Sequence, residues 1–482
     1  MEIPVSNQSS GMVRRKFGAN MQAHAYTGEA RKGRKGCAGP PIRAHPGTMT
    51  APASGRAVPI DRTFALMFAV MLVIAAGNTA LQSVLPALGR SLRVADGAVA
   101  AAFSVSALAW VICAPLWANR SDRHGPRAMV LLGMAGFTAS LTVCGLFLMA
   151  GINGWIGGTA AFAAFVVGRM LYGIFGSAAP PAVQAIVAGR TTREERTRAL
   201  ALLASAFGLG TILGPAVAPY LVLGQVGAVE IGLAGPAFAA TLVGAAMLAA
   251  VAAMLPRDGV RGHGAASAYP SIGGQSTGAS VTAATSTPGE RVGYLDPRIR
   301  VWVIVGLIMG HAQAMTGQAI GFLVIDRLGL PPIAALQPTG LVLMMGAGAA
   351  LLVQWGLIPL LDLRPRALVT IGLVVAAVGC VATGTATSLY GIATGYALAA
   401  MGFGFVRPGY TAGASLAVGA QAQGSVAGKI TAVNGASFVL GPSIGVGLYA
   451  MWRPLPYLTA AAALCMLFVY AVVSLRPSAR AE

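Results

Sequence analysis

Two arginines, Arg169 and Arg407, lie well inside long apolar stretches of the sequence. About twelve helical residues precede Arg169 in its stretch, which corresponds to ~18 Å at 1.5 Å per residue. A charge at that depth in a bilayer costs at least ~2.5–3.5 kcal/mol and must face a cavity or a partner. The spacing of Arg169 from Gly173, Gly176 and Pro180 puts these residues on one helical face. Arg169 therefore either has a functional role or donates structurally to nearby carbonyl groups.

Few other polar residues interrupt the apolar stretches. No Asp or Glu lies deep in any of them, and His311 is the single histidine inside them. Because histidine exchanges protons readily near neutral pH, His311 is the candidate proton carrier, with a neutral packing histidine as the alternative. Gln318 lies two turns further on the same helical face, whereas Gln313 points away from it. The candidate pathway also includes Asn78, Gln82, Tyr172, Tyr410 and Asn434.

The overall composition is that of a membrane protein. Hydrophobic residues make up 56% of the chain and charged residues only 10%, against roughly 25% charged residues in soluble domains. The apolar runs recur at the ~20 residues that a membrane helix needs. The net charge of +19 comes from Lys and Arg that sit mostly between these runs. This charge indicates membrane topology and no nucleic-acid binding.

The sequence predicts an all-α membrane protein of twelve transmembrane helices in two pseudo-symmetric six-helix halves, 61–255 and 299–476. We place the helices at about 63–88, 98–118, 128–150, 157–188, 197–222, 232–255, 299–326, 333–360, 367–386, 388–416, 426–450 and 456–475. Between the halves, 256–298 is rich in Gly, Ser, Thr and Ala and reads as a flexible linker. Residues 477–482 form a C-terminal tail.

Residues 1–60 differ from the rest of the chain, because they are polar, basic and rich in Gly and Pro. We expect disorder there. Translation starting at Met21 or Met49 is one interpretation of this tail, and a basic arm on anionic lipid is the other. If both termini are cytoplasmic, inward segments hold 27 of the 33 Lys and Arg and outward loops hold four. This asymmetry supports cytoplasmic termini.

The two halves share a weak internal repeat. Gly214-Pro215 in helix 5 aligns with Gly441-Pro442 in helix 11, and a similar match relates helices 4 and 10. Six-helix repeats joined by a linker are an architecture of secondary transporters, with the substrate site between the halves. The five cysteines contain no CxxC pair, so neither a disulfide framework nor a metal site is predicted. No cofactor is expected.

Over about 62–475 the chain resembles the major facilitator superfamily, and more narrowly its twelve-helix drug:proton antiporters of bacteria. The loop after helix 2 matches four positions of a family motif, Asp122, Arg123, Gly125 and Arg127. The resemblance implies that this loop latches the two halves in the outward-facing state. Ala118 and Pro126 depart from the motif, which puts the strength of that latch in doubt.

Helices 4 and 5 carry the other parts of the resemblance. It implies that Arg169 acts in proton coupling or substrate binding, although Tyr172 stands where the family usually has Gln. In helix 5, Gly210, Gly214 and Pro215 match the motif that marks antiporters. Its closing glycine pair is replaced, which leaves the direction of transport open. The resemblance also implies that helices 1, 4, 7 and 10 line the cavity.

We therefore interpret the chain as a monomeric, proton-coupled exporter of small amphipathic compounds that works by alternating access, and as no enzyme. Its partners would be the substrate, protons and the lipid bilayer of a bacterial inner membrane. A mostly apolar pocket with two arginines suits neutral or anionic substrates better than cations. An uptake symporter of the same fold is the first alternative. A membrane-embedded enzyme or a non-transporting membrane protein would need a catalytic cluster or a soluble domain that the sequence lacks.

Overall fold

The computed structural model describes residues 61–191, 193–256 and 290–475. The predicted tails at 1–60 and 477–482 and most of the predicted linker lie outside these ranges. Within them, twelve helices are long and apolar enough to cross a membrane. The prediction of a twelve-helix membrane protein is therefore confirmed.

The helices are numbered in chain order. The first six span Arg62–Ser91, Asp96–His124, Pro126–Ile152, Gly158–Arg190, Arg193–Val217 and Gly235–Met254. The last six span Arg300–Leu328, Leu336–Leu361, Pro365–Thr385, Leu389–Leu416, Gln423–Met451 and Leu455–Ser474. Helix 4 contains a 3₁₀ turn at Gly176–Ala178, and helix 8 contains a π-helical turn at Val353–Leu357.

Local chemistry sets several helix ends. Asp61 caps helix 1, because its carboxylate accepts a 2.7 Å hydrogen bond from the Phe64 amide. Gly125 separates helices 2 and 3 with φ of 84°, a conformation that glycine adopts without strain. Pro126 follows at the first position of helix 3, where its missing N–H costs nothing. The glycine of the loop motif therefore forms the tight turn that the sequence indicates.

Helix 5 ends within one residue of its predicted end at 222, but its last turn is not α-helical. The α-helix stops at Val217 and continues as a 3₁₀ turn, Ala218–Leu221. An antiparallel hairpin follows, with strands β1, Leu223–Val226, and β2, Val229–Gly232. Pro219, four residues after Pro215, removes a second amide donor and does not support a further α-helical turn. This hairpin is the departure from an all-α fold in the part of the chain that the structure resolves in detail.

Glycines bring helix 5 close to helix 1. A Cβ atom on Gly214 would lie 2.2 Å from Thr79 Oγ1 and 2.4 Å from the Ala76 carbonyl oxygen. A Cβ on Gly210 would lie 2.6 Å from the Leu72 carbonyl oxygen. Such small-residue stripes let helix backbones approach closely in a membrane. The helix 5 motif therefore fixes the position of helix 1.

The same arrangement recurs in the second half, where helix 11 packs on helix 7. A Cβ on Gly445 would lie 2.5 Å from the Met315 carbonyl oxygen, and one on Gly441 would lie 2.5 Å from the Ala314 Cβ. Helix 5 supports helix 1 as helix 11 supports helix 7, in agreement with the sequence repeat. Both supported helices contribute polar side chains to the centre of the molecule.

We expect Gly214→Val to destabilise the protein, because its new side chain meets the backbone of helix 1, which cannot move away cheaply. Overpacking of this kind costs about 1–3 kcal/mol or more. Gly348→Val is the matched control, since nothing lies within 4 Å of a Cβ at that helix 8 position. Thermal unfolding in detergent is monitored by the loss of the monodisperse peak in gel filtration. The melting temperature should drop clearly for Gly214→Val alone. Equal melting temperatures would contradict the packing role.

Candidate functional site

A central cavity lies between the two halves, and it has two lobes. The smaller lobe has a volume of about 80 Å³ and the larger about 170 Å³. They share five lining residues, Thr79, Gln82, Gln318, Phe438 and Pro442. These come from helices 1, 7 and 11, so both halves contribute to the cavity.

Arg169 lines the smaller lobe and is only 3% exposed. Its Nη2 donates a 2.8 Å hydrogen bond to Asn78 Oδ1 of helix 1. The guanidinium carbon lies 5.0 Å from the ring centroid of Phe103 and 4.9 Å from that of Tyr172. Stacking over aromatic faces stabilises a desolvated cation. The structure thus brings together three of the candidate residues, Asn78, Arg169 and Tyr172.

The position of Arg169 follows from the close packing of helix 4 on helix 2. A Cβ on Gly173, one turn after Arg169, would lie 2.4 Å from the Ser106 carbonyl oxygen. The Ser106 hydroxyl in turn donates a 2.9 Å hydrogen bond to the Arg169 carbonyl oxygen. Trp110, one turn further along helix 2, has its ring centroid 5.1 Å from that of Tyr172. Helix 2 therefore forms a wall of the lobe, which the sequence analysis did not anticipate.

The larger lobe is lined by Gln313 and Gln318 from helix 7. Gln318 also accepts a 3.4 Å hydrogen bond from Gln82 Nε2, across the two halves. Arg407 of helix 10 is 4% exposed and donates a hydrogen bond to Gln313 Oε1. It lies behind Gln313, outside the residues that line the two lobes. The helical spacing predicted that Gln313 points away from the face of Gln318. Both side chains nevertheless line the larger lobe, and the Gln313 amide is held there by the hydrogen bond from Arg407.

Three other candidate residues lie outside the lining of both lobes. His311 Nδ1 is 2.8 Å from the Leu307 carbonyl oxygen of its own helix. Tyr410 and Asn434 are buried in the second half, where the Tyr410 hydroxyl donates to Asn434 Oδ1. A Cβ on Gly306 would meet the Tyr410 ring at 2.7 Å, so this pair packs against helix 7.

The loop after helix 2 is only partly described. The side chains of Asp122 and Arg123 lie outside the described part of the structure. Arg127 donates 2.8 Å hydrogen bonds to the carbonyl oxygens of Leu255 and Ala252, at the end of helix 6. These carbonyls have no partner within their own helix, so Arg127 caps helix 6. In this structure Arg127 therefore ties together two helices of one half.

An ionic cluster joins the two halves at one membrane edge. We call this the far edge, opposite the terminal edge at which helix 1 begins and helix 12 ends. Arg90, at the end of helix 1, pairs with Asp326, at the end of helix 7, with Nη2 to Oδ2 at 3.0 Å. It also pairs with Asp96 at 2.8 Å. Asp326 accepts a 2.6 Å hydrogen bond from the Tyr449 hydroxyl and lies 3.6 Å from Arg453 Nε.

This cluster was not predicted, because Arg90 and Asp326 each stand at the end of an apolar run in the sequence. Gln82–Gln318 and Arg90–Asp326 are both separated by 236 residues. The two pairs thus share one alignment of helix 1 with helix 7. Between them, a Cβ on Gly321 would lie 2.6 Å from the Pro86 ring. Helices 1 and 7 are consequently in contact from the cavity to the far edge.

We expect Asp326→Asn to weaken closure of the far edge, because it removes the charge that Arg90 binds. Hydrogen bonds between charged groups contribute about 1.5–3 kcal/mol, so the closed state should lose roughly tenfold or more in relative population. The measurement is the rate at which a membrane-impermeant maleimide, added at the far edge, labels a cysteine introduced at Ala347 in the cavity. The native cysteines are replaced by alanine in this background.

The control is Asp296→Asn, since hydrogen bonds from Arg298 lower the pKa of Asp296 to about 2 and this pair stays within the segment before helix 7. The control should be labelled at the parental rate, and Arg90→Gln should match Asp326→Asn. Labelling of Asp326→Asn at the parental rate would refute the closing role of the cluster.

Comparison with known proteins agrees with this architecture. Residues 67–442 match the family model of the Major Facilitator Superfamily. The tetracycline resistance protein of class E from Escherichia coli is 25% identical over 428 residues, which cover 86% of this chain and 95% of that protein. Multidrug resistance protein 2 of Bacillus subtilis (strain 168) is 31% identical over 125 residues, or 26% of this chain. That match spans only 28% of the relative's own length.

Solved structures show the same fold at low sequence identity. The human organic anion transporter MFSD10 (TETRAN) superposes with a TM-score of 0.54 at 19% identity, over 85% of this chain and 99% of its own. The Escherichia coli fucose:proton symporter FucP superposes with a TM-score of 0.53 at 12% identity, over 86% of this chain and 98% of its own. The chain belongs to the major facilitator superfamily and is a multi-pass membrane transporter, not an enzyme.

Proposed function

We propose that this transporter exports small amphipathic compounds in exchange for protons by alternating access. The observation that carries the proposal is the central cavity, which both halves line. The Arg90–Asp326 cluster joins helices 1 and 7 at the far edge, and we infer that this contact closes the cavity on that side. A cavity closed on one side is the arrangement that a transporter needs to load from the other side. One chain supplies the whole cavity, which supports a monomer as the working unit.

The distribution of basic residues supports an orientation with the terminal edge in the cytoplasm of a bacterium. With both termini inside, inward segments hold 27 of the 33 Lys and Arg. The far edge is then extracellular or periplasmic. In this orientation the inferred closure at the far edge faces the outside, which suits capture of a substrate from the cytoplasm or the inner leaflet. The tetracycline and multidrug resistance relatives support export as the direction.

Two residues are proposed to carry the coupling. Arg169 has a mid-membrane position and lines the smaller lobe. Substrate that binds Arg169 changes its contacts with Asn78 and Phe103, and this change can move helices 1 and 2. His311 lies two turns from Gln318 towards the terminal edge and is half-buried. Its imidazole bonds only a carbonyl of its own helix among the described residues. It is therefore available to exchange a proton on the proposed cytoplasmic side.

The test is substrate-dependent proton flux in liposomes that contain the purified protein and a pH-sensitive dye. Tetracycline, ethidium and organic acids are added under an imposed proton gradient. We expect Arg169→Ala to reduce the flux at least tenfold, because the lobe loses its buried charge and its bond to Asn78. His311→Ala should abolish proton movement while substrate binding remains.

Arg366→Gln is the control, since among the described residues Arg366 donates to the exposed end of helix 12 alone, at the Val472 carbonyl oxygen. It should keep the parental flux. Flux that survives both Arg169→Ala and His311→Ala would disprove both assignments. Protons that move inward together with the substrate would replace export by uptake.

A further inference from the structure

Two side chains that line the smaller lobe have hydrogen-bond donors without an acceptor among the described residues. Arg169 Nε and Trp110 Nε1 are both buried and have no partner among the described residues. Both residues line the lobe, and their exposed fractions are 3% and 5%. A buried donor without an acceptor costs about 1–3 kcal/mol, and more when it is charged. Neither side chain can act as an acceptor, so the lobe needs an acceptor from elsewhere.

The amide side chains add further donors to the cavity. An arginine only donates, so Asn78 must accept from Arg169 through its oxygen, and Gln313 must accept from Arg407 in the same way. These bonds leave the NH₂ groups of both amides for the cavity. The orientation of each amide thus follows from its arginine partner. Because Arg169 and Arg407 occupy the amide oxygens, Asn78 and Gln313 present hydrogen-bond donors to the smaller and the larger lobe.

The cavity also has an unbalanced positive charge. No acidic residue is among those that line either lobe. Of the helices that line the smaller lobe, helices 1, 4 and 11 contain no Asp or Glu. The acidic residues of helices 2, 5 and 7 stand at helix ends, and the one in helix 7, Asp326, is paired at the far edge. Arg169 therefore lacks an anionic partner in a region where an unpaired charge is costly. A cationic ligand would add repulsion to this cost.

The remaining walls of the smaller lobe are aromatic. Phe103, Trp110, Tyr172 and Phe438 line it together with Phe207. Flat apolar walls of this kind accept an aromatic or planar apolar body. The combination defines the ligand: one end must bring acceptors and negative charge, and the rest must be apolar.

We propose that the transported substrate is an organic anion, with a carboxylate or a comparable acidic group bound by Arg169 and Trp110 and an aromatic body against the ring-lined wall. This proposal rests on the proposed transport function and specifies its substrate class. The carboxylate supplies the acceptors that both orphan donors lack, and it neutralises the guanidinium. Arg407 lines neither lobe and bonds Gln313 at the larger lobe, so it is not assigned to the acid group.

The test uses three probes of nearly equal shape, 2-naphthoate, 2-naphthylmethanol and 2-naphthylmethylamine. At pH 7 they are an anion, a neutral molecule and a cation. Binding to the purified protein is measured by calorimetry, and export is measured in inverted membrane vesicles. We expect the naphthoate to bind at least about tenfold more tightly than the alcohol, because it gains charge-assisted hydrogen bonds. The amine should show no binding and no transport.

Two substitutions locate the acid group. Trp110→Phe keeps an aromatic ring in the wall and removes the indole N–H together with the smaller ring that carries it, so naphthoate affinity should fall about tenfold. Trp117→Phe is the matched control, because Trp117 Nε1 donates to the Ile174 carbonyl oxygen and lies outside the lining of the cavity. It should keep the parental affinity. Arg169→Gln keeps a polar side chain but removes the charge, so the preference for the acid over the alcohol should disappear.

The outcomes separate this proposal from the proposed function. Export of the amine or the alcohol in preference to the acid overturns the anion assignment and leaves the exporter intact. An unchanged acid preference in both Trp110→Phe and Arg169→Gln overturns the assigned site. If no probe moves and tetracycline and ethidium also fail to move, the export function fails and the substrate assignment fails with it.

Discussion

The structure depends on one constraint, which is the need to accommodate a guanidinium in the middle of a low-dielectric span. Arg169 obtains an amide oxygen from helix 1 and aromatic faces from helices 2 and 4. Each of these contacts requires close helix packing, and glycines at the helix contacts provide it. Gly173 brings helix 4 to the backbone of helix 2, and Gly214 brings helix 5 to helix 1. The close packing of helices in the first half therefore provides the contacts that stabilise the Arg169 guanidinium.

Several features could be predicted from the sequence because they follow from local patterns. Apolar runs of membrane length gave all twelve helices, since the bilayer imposes one length on each of them. Arg169 was identifiable because a charge in such a run is costly. The Gly-Pro repeat indicated that helices 5 and 11 have equivalent roles, and their packing on helices 1 and 7 agrees with that indication.

Other features could not be predicted because they depend on contacts between distant segments. The orientation of Gln313 is set by Arg407 on another helix, which a helical wheel of helix 7 cannot represent. Trp110 is one aromatic residue among many until helix 2 is placed against helix 4. Arg90 and Asp326 looked like ordinary charges at helix ends, and only the meeting of helices 1 and 7 makes them partners. The hairpin after helix 5 follows the 3₁₀ turn that contains Pro219, near a helix end, where boundaries are least determined by hydropathy.

The common offset of the two cross-half pairs on helices 1 and 7 has a mechanical consequence. Gln82–Gln318 borders both lobes, and Arg90–Asp326 lies eight residues further along each helix, or about 12 Å. The two pairs belong to one contact between helices 1 and 7. A rotation of the halves that separates Gln82 from Gln318 therefore also strains the ion pair between Arg90 and Asp326. A molecule that separates Gln82 from Gln318 therefore weakens the ion pair between Arg90 and Asp326. Ligand binding in the cavity is thereby coupled to the ion pair at the membrane surface through helices 1 and 7 alone, and this coupling needs no loop.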